Sequence, residues 1–329
     1  MQSQEFVYAK WSLAQRADGV SNASVNQAFA AGTILRTHVV RPTWHFVAPA
    51  DIRWMLDVTA PRINALNSYY YRQCELDEKV FAKTNALLIK SLKGGRHLTR
   101  ANLATILERA GIVATGLRLG YILMRAELDA IICSGALSGK QQTYALLDER
   151  APQFERIDRS EALAELTRRY FTSRGPATLK DYVRWSSLSS TEGRSGLEMV
   201  KSELEHEVVD GRTYWFDGSA PGAKREAPVI DLIQVYDEYV MSYSESRDVL
   251  SPLTARTARQ DFTHAILLDG RLIGHWKHAF SRNLVTIDTG LFRRLSRAEM
   301  RALNAVVERY GRFMGLASQY NMRCDQSLQ

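Results

Sequence analysis

Two arginines, two histidines and one tryptophan lie within the eleven residues from Leu35 to His45. They are Arg36, His38, Arg41, Trp44 and His45. Guanidinium groups bind phosphate, and indole and imidazole rings stack on exposed nucleobases, so this set is typical of contact with nucleic acid. A structural interpretation stays open beside it, because Trp44 can equally pack in a core and His45 can bind a backbone group.

Two glutamines, Gln2 and Gln4, flank a serine at the start of the chain. A glutamine amide is neutral and cannot act as a strong base, but it both accepts and donates hydrogen bonds. A pair of such amides can hold a water molecule against an electrophilic carbon. The spacing is common by chance, so the pattern alone assigns no activity.

The block Tyr236-Asp237-Glu238-Tyr239 is acidic in a chain of net charge +7. We expect its carboxylates to pair with arginine, the usual structural use of such charges. The chain has no P-loop, no Rossmann glycine signature, no HExxH and no Gly-x-Ser-x-Gly motif. His275 and His278 lie three apart on a predicted strand and face opposite sides, and they have no Cys or carboxylate companions, so no metal site is predicted there.

Composition favours a polyanionic partner, because 43 Lys+Arg stand against 36 Asp+Glu and the isoelectric point is about 9.3. The cysteines Cys74, Cys133 and Cys324 lack the spacing of a disulfide framework or a zinc site, which indicates a reducing compartment. No apolar run is long enough for a membrane span, and no signal peptide is recognisable. We therefore expect a soluble, cytoplasmic protein.

The first part of the chain shows the element order of a winged helix. A predicted helix over 2–18 is followed by a short helix ending at Gly32, strands over 33–41 and 43–47, and a helix from Asp51 to about Pro61. Alternation along the first strand places Arg36, His38 and Val40 on one side.

The same order recurs twice more, which is stronger evidence than one copy. Predicted helices over 76–92, 100–111 and 116–135 precede strands at 136–137 and 143–146. Predicted helices over 160–173, 179–185 and 189–204 precede a hairpin whose Asp210-Gly211 turn favours type I′ geometry.

A change of pattern follows Ala220, where Pro221-Gly222 and Ala227-Pro228 indicate a linker. Strands over 229–235, 262–269, 271–278 and 284–287 and a helix over 297–314, capped by Ser296, predict a small mixed sheet with a final helix. The predicted fold is α+β, with three tandem winged-helix units over 1–75, 76–155 and 156–220 and a β-rich subdomain over 221–329.

Several short blocks together resemble the AlkZ-like DNA glycosylases, also described as winged-helix DNA-binding domain-containing proteins. The blocks are Gln2-Ser3-Gln4-Glu5, the run from Arg36 to Val47, Gly120 to Met124, Gly175 to Thr178, and Tyr236 to Tyr239. The resemblance covers nearly the whole chain. Since members of that family usually carry a further helix ahead of the Gln-x-Gln motif, we expect either a shortened first unit or a start farther upstream.

The resemblance implies a monofunctional enzyme that removes bulky alkylated purines, some of them within interstrand crosslinks, without a metal or cofactor. Gln2 and Gln4 would position the hydrolytic water at the anomeric carbon. The DNA-binding residues would be Arg36, His38, Arg41, Trp44, His45, Asp237 and Tyr239. The implied partner is double-stranded DNA, alkylated DNA included, bound by a monomer on a concave basic surface.

Three functions remain in competition. A glycosylase predicts release of 7-methylguanine from methylated DNA. A non-catalytic DNA-binding protein or transcriptional regulator predicts salt-sensitive duplex binding without base release. A protein-binding array predicts no DNA binding even at low salt, and fold analogy alone does not decide among the three.

Overall fold

Residues Met1–Val25 fold together with Gly218–Gln329, and Asn26–Asp217 form a second compact unit. The computed structural model describes residues 1–152, 157–219, 227–245 and 264–324. The predicted linker residues Pro221-Gly222 and the predicted strand start at Phe262 lie outside the described residues. The predicted mixed α+β character, with a small sheet in the C-terminal part, is confirmed. The division into four segments stays a prediction.

Helices occur in both units among the described residues. They are α1 (Phe6–Ala14), α2 (Asn22–Ala31), α3 (Ile52–Gln73), α4 (Glu78–Leu92), α5 (Arg100–Arg109), α6 (Gly116–Leu128), α7 (Leu147–Arg150), α8 (Arg159–Arg174), α9 (Leu179–Ser186), α10 (Ser190–Val200), α11 (Glu238–Met241) and α12 (Arg297–Met314).

The strands form four separate sheets among the described residues. They are β1 (Leu35–His38), β2 (Trp44–Val47), β3 (Leu98–Thr99), β4 (Ile132–Ser134), β5 (Thr143–Leu146), β6 (Glu205–Val209), β7 (Arg212–Phe216), β8 (Ile230–Ile233), β9 (His264–Leu268), β10 (Arg271–Phe280), β11 (Leu284–Leu291) and β12 (Ala317–Cys324).

The first predicted strand pair is confirmed, since β1 and β2 are antiparallel with Leu35 opposite Val47 and His38 opposite Trp44. Every residue of β1 is buried, so neither side of this strand faces solvent. The backbone N–H of Arg36 donates to the Ser134 hydroxyl at 2.8 Å, which ties β1 to β4. The alternation of side chains therefore does not produce an exposed basic face.

The helix α3 continues through Pro61, where the sequence predicted its end. Proline has no N–H, so the carbonyl of Asp57, one turn earlier, loses its helical partner. The Arg159 guanidinium of α8 donates to the carbonyls of Asp57 and Val58. A side chain distant in sequence thus supplies the missing hydrogen bond, and the predicted end was wrong for that reason.

The helix α6 ends at Leu128, several residues before its predicted end at Gly135. Ala130 adopts a left-handed φ of 57°, and the N–H of Ile131 donates to the carbonyl of Ala126 at 3.0 Å. This is a Schellman C-cap with alanine where glycine is usual. The residues that follow form β4, which pairs with β5, so the predicted strand at 136–137 was wrong.

The predicted cap at Ser296 and the predicted turn at Asp210-Gly211 are both confirmed. Thr99, Thr178, Ser189 and Ser296 each cap the helix that follows and complete a capping box. The hairpin of β6 and β7 turns at Asp210-Gly211 with φ values of 51° and 73°, which fits the predicted type I′ turn.

The N- and C-terminal unit is built on a five-stranded sheet in the order β12-β11-β10-β9-β8. Its strand β12, which no sequence pattern predicted, lies parallel to β11, while the other pairs are antiparallel. The helices α1 and α12 pack Trp11, Val307 and Tyr310 into one core with Trp276 of the sheet. The Trp11 indole N–H donates to the Leu232 carbonyl at 2.7 Å.

The helix α1 begins at Phe6, so the prediction of a helix from residue 2 was wrong at its start. Gln2 instead makes an isolated β-bridge, and Gln2 and Ser3 are buried at 2 % and 0 % exposure. Tertiary contacts of an extended segment therefore override the apolar spacing. Among the described residues, no helix has the length and hydropathy needed to cross a membrane.

Candidate active site and nucleic-acid interface

The segment Gln2–Gln4 is held in place by the loop and short helix after β8. The N–H of Gln2 donates to Oε1 of Glu238 at 2.9 Å, and Nε2 of Gln234 donates to the Gln2 carbonyl at 3.2 Å. Oε2 of Glu238 accepts from the Ser242 hydroxyl at 3.0 Å, one turn further along α11. Both backbone groups of Gln2 are thereby fixed by buried side chains.

A second set of hydrogen bonds extends from Gln234 to an ion pair between the partly exposed Arg16 and the buried Asp237. Its Nε2 also donates to the Ser12 hydroxyl at 3.2 Å, and that hydroxyl donates to Oδ2 of Asp237 at 2.7 Å. The Arg16 guanidinium donates to both Asp237 oxygens, at 3.1 and 2.5 Å. Helix α1 therefore connects the acidic block to the segment that carries Gln2.

The amide of Gln4 has a polar atom that its neighbours do not satisfy. Its Oε1 is shielded from solvent and has no hydrogen-bond partner among the described residues. A buried amide oxygen without a partner is costly and uncommon in folded proteins. Such an oxygen is suited to accept a hydrogen bond from a water or ligand that enters the site.

Asp237 and Tyr239, predicted as DNA-binding residues, lie in this same unit. Asp237 is fully buried, and besides the Arg16 pair it caps α11 by accepting from the Tyr239 N–H at 2.9 Å. The structural alternative, pairing with an arginine, is confirmed. The Tyr239 hydroxyl donates to the Gly270 carbonyl at 3.3 Å. As folded, the Asp237 carboxylate is turned inward and is not placed to contact DNA.

Tyr8 of α1 is the centre of a stack of three rings, and no sequence pattern predicted this stack. Tyr8 lies between His264 and His278, with ring centroids 3.6 and 4.1 Å away. Burial lowers the pKa of both imidazoles to about 4, and the neighbouring His278 further lowers that of His264. Nδ1 of His278 lies 2.5 Å from the Tyr310 hydroxyl, and Nε2 of His264 lies 3.4 Å from Glu5.

The residues Arg36, His38 and Trp44 lie together in the Asn26–Asp217 unit. The Arg36 guanidinium stacks 4.3 Å above the Trp44 ring, and the His38 ring lies 4.4 Å from it. Nδ1 of His38 contacts Oε2 of Glu127, a residue of α6 that is only 1 % exposed. Burial lowers the pKa of Arg36 to about 10, while the nearby Glu127 opposes that shift.

His45 and Arg41 form a separate local arrangement at the end of the strand pair. Nδ1 of His45 donates to the Thr43 carbonyl at 2.9 Å, so its Nε2 is left as the acceptor for Arg41, whose guanidinium lies 3.5 Å away. The expectation that His45 binds a backbone group is confirmed. Of the predicted contact residues in this block, Arg36, His38 and His45 are buried, while Arg41 and Trp44 are partly exposed.

A pocket of about 160 Å³ opens beside Trp44 and His38. The helix α6 supplies five residues to its wall, Leu117, Gly120, Tyr121, Leu123 and Met124. The remaining lining residues are Arg100 and Tyr144. Its surface is almost entirely apolar apart from the side chains of His38 and Arg100.

The model of one protein family, described as DNA glycosylase AlkZ-like, matches residues 1–313. The chain belongs to the AlkZ-like DNA glycosylase family. A curated relative, the interstrand DNA cross-link repair glycosylase of Streptomyces sahachiroi, is 24 % identical over 306 residues, which is 87 % of this chain and 81 % of the relative. The solved structure of the Streptomyces sahachiroi DNA glycosylase AlkZ is similar with a TM-score of 0.79 and 22 % identity, covering 98 % of this chain and 90 % of that one.

The family assignment confirms the resemblance stated from the sequence and the predicted function of a DNA glycosylase, a DNA-binding hydrolase of DNA repair. The AlkZ-like motifs fall into both units: Gln2 and Gln4 lie in one, and the run from Arg36 to Val47 lies in the other. The roles of the individual residues stay predictions.

The AlkZ-like chain also contains supporting residues that its sequence did not point to, chiefly Gln234 and Glu127. Glu127 had one available signal, because it follows Leu123 by four positions on the apolar stripe of α6. A carboxylate at such a position needs a polar partner once the helix is packed. Gln234 had no local signal, since its role depends on Gln2 and Ser12 approaching through the fold.

Proposed function

We propose that this AlkZ-like protein is a monofunctional glycosylase that hydrolyses the N-glycosidic bond of alkylated purines in double-stranded DNA. The observation that carries the proposal is the buried, unpartnered Oε1 of Gln4, next to a backbone that Glu238 and Gln234 hold rigidly. That oxygen accepts a hydrogen bond from the attacking water. Gln2 is the second amide of the pair, and its burial fixes the segment.

The chemistry needs a positioned water more than it needs a strong acid. An N7-alkylated purine already carries a positive charge, so it leaves with the electron pair of its C1′–N9 bond as a neutral base. The water oxygen forms the new bond to C1′, and its proton passes to solvent. The sugar carries oxocarbenium-like charge in the transition state, as in glycoside hydrolysis, and amide oxygens near that charge stabilise it.

The buried network around Asp237 acts through position. Because Asp237 is occupied by Arg16 and Ser12, we assign it and Tyr239 to holding α11, and thereby Glu238, in place. This replaces the direct DNA contact that the sequence motif suggested for them.

DNA binding is assigned to Arg41 and Trp44, which retain exposed surface, with the buried Arg36, His38 and His45 supporting them. Three successive winged-helix units are part of this proposal. These units are supported by three antiparallel strand pairs, each of which follows helices in the chain: β1–β2, β4–β5 and β6–β7. We further propose that the protein acts as a monomer.

The name of the Streptomyces sahachiroi relative extends the substrate class. We propose that purines alkylated within an interstrand crosslink are substrates as well, because the same cationic leaving group is present in such a crosslink. A crosslinked duplex and a singly alkylated duplex of the same sequence separate these two substrates.

The deciding experiment is a single-turnover assay on methylated duplex DNA, with released 7-methylguanine measured by chromatography. We expect release that leaves abasic sites without strand cleavage. Duplex binding that is salt-sensitive but accompanied by no release from either substrate would contradict the proposal and favour a non-catalytic DNA-binding protein.

A further inference from the structure

We propose that the pocket beside Trp44 binds a single unpaired nucleobase of the DNA. This inference rests on the proposed function only in taking DNA as the ligand, and it concerns a pocket whose lining includes neither Gln2 nor Gln4. It concerns the Asn26–Asp217 unit alone. The pocket is lined by residues of β1, β2, β5, α5 and α6.

The volume of the pocket limits what it can hold. Sites for drug-sized ligands occupy about 300–1,000 Å³, whereas this pocket measures about 160 Å³. It therefore accommodates one planar ring system and excludes a whole nucleotide. The apolar side chains of Leu117 and Met124 suit the faces of such a ring, and the Arg100 guanidinium beside them suits the phosphate that accompanies a base.

Aromatic side chains continue from the pocket onto the surface. Tyr121, which lines the pocket, stacks on Tyr70 with an interplanar angle of 16° and a centroid distance of 5.4 Å. Tyr70 and Tyr69 are 46 % and 56 % exposed, which is unusual for rings of this size. Exposed aromatic rings that lead into an aromatic-lined pocket are the arrangement by which proteins bind unstacked bases.

The His38 ring in the pocket wall offers a hydrogen-bond acceptor that suits the edge of a base. A carboxylate only accepts, so His38 donates from Nδ1 to Glu127. In the neutral imidazole this leaves Nε2 as an acceptor on a ring that lines the pocket. Every nucleobase carries an N–H group on its Watson–Crick edge, and the buried Glu127 fixes the orientation of the acceptor.

Gly120 provides a direct way to fill this pocket. A Cβ at this position meets only the Arg100 guanidinium, at 3.6 Å, and the helix α6 has ordinary backbone geometry there. Gly120→Leu should therefore place a side chain in the pocket while improving the helical propensity of α6. Ala86→Leu is the matched control, because Ala86 lies exposed on α4 and does not line the pocket.

The test measures affinity by fluorescence anisotropy for three duplexes of equal length: one with a single unpaired adenosine, one with an abasic residue in its place, and one fully paired. For the native protein and for Ala86→Leu we expect the unpaired adenosine to bind at least about fivefold tighter than the abasic residue. In Gly120→Leu this ratio should fall to about one, with affinity for the paired duplex unchanged.

A second variant, Tyr121→Ala, removes a wall and should also lower the ratio. Circular dichroism reports whether each variant is folded. A ratio near one in the native protein, or a full ratio retained in both pocket variants, overturns the inference. Release of 7-methylguanine from methylated DNA is measured on the same preparations, which separates the two proposals. If the native protein binds the unpaired adenosine more tightly than the abasic residue but releases no 7-methylguanine, the proposed hydrolysis is refuted and the pocket is supported.

Discussion

The N–H of Gln2 donates a hydrogen bond of 2.9 Å to the carboxylate of Glu238, which lies 236 positions later in the chain. The contact joins the Gln-x-Gln motif to the acidic block, two features that the sequence presents as unrelated. Because Glu238 is buried at 6 % exposure, the contact is protected from competing water. It makes Glu238 a positioning residue for the proposed water site.

Glu238→Ala should lower the single-turnover rate of base release by at least about tenfold, because a small displacement of a positioned group costs this much or more. DNA affinity should stay unchanged, since Glu238 is not proposed to contact DNA. Glu238→Gln keeps an acceptor oxygen for the Gln2 N–H and should restore most of the rate. A native rate in the alanine variant would refute the positioning role.

Gln4→Ala should lower the rate of 7-methylguanine release by about 10²-fold, the usual loss when one polar group that stabilises a transition state is removed. The folded state should be no less stable, because the lost Oε1 has no partner among the described residues. Gln27→Ala, at an exposed position of α2, is the control and should behave as the native protein. Unchanged release in a Gln2→Ala/Gln4→Ala double variant would remove both glutamines from the mechanism.

Glu127→Ala should lower the free energy of unfolding by about 3 kcal/mol, since it leaves the buried His38 and Arg36 without their carboxylate. Asp148→Ala is the comparison, because the Asp148 side chain is 86 % exposed although it also pairs with an arginine. That variant should lose no more than about 1 kcal/mol. Urea titration followed by circular dichroism measures both, and equal losses would contradict the assigned burial of the His38–Glu127 pair.

Gly196→Ala should destabilise the protein by about 1–3 kcal/mol even though alanine is the better helix former. A Cβ on Gly196 of α10 would clash with the hydroxyl of Thr167 on α8. That hydroxyl donates to the Leu163 carbonyl at 2.7 Å and lies 2.8 Å from the Tyr182 hydroxyl, so it cannot move without loss. Ser195→Ala, on the exposed side of the same helix, should be neutral within about 0.5 kcal/mol. A neutral Gly196→Ala would show that the two helices are free to separate.

Stability should fall as the pH is lowered from about 6.5 to about 4. His264 and His278 have folded-state pKa values near 4, below the unfolded value of 6.5. Between those values the unfolded chain binds more protons than the folded one, so the free energy of unfolding rises with pH across this window and is insensitive to these groups above it. Thermal unfolding at intervals of pH measures the slope. A His264→Gln/His278→Phe variant with the native slope would contradict this assignment.

The sequence by itself determined the local features. Helix starts at Thr99, Thr178, Ser189 and Ser296, and the turn at Asp210-Gly211, follow from hydrogen bonds and φ preferences within a few residues. It also carried the family resemblance, because the motif blocks stand in the same order along the chain. These features need no knowledge of the fold.

Tertiary structure alone decided the rest. Arg159 allows α3 to pass Pro61. Strand alternation placed Arg36 and His38 on one side of β1, but only the packing of the folded chain decided that both sides of this strand are buried. The bonds of Gln2 to Glu238 and Gln234 depend on distant segments meeting. A hydrogen bond or a buried surface between remote residues is worth as much free energy as a local preference, yet it leaves no pattern in neighbouring residues from which it could be read.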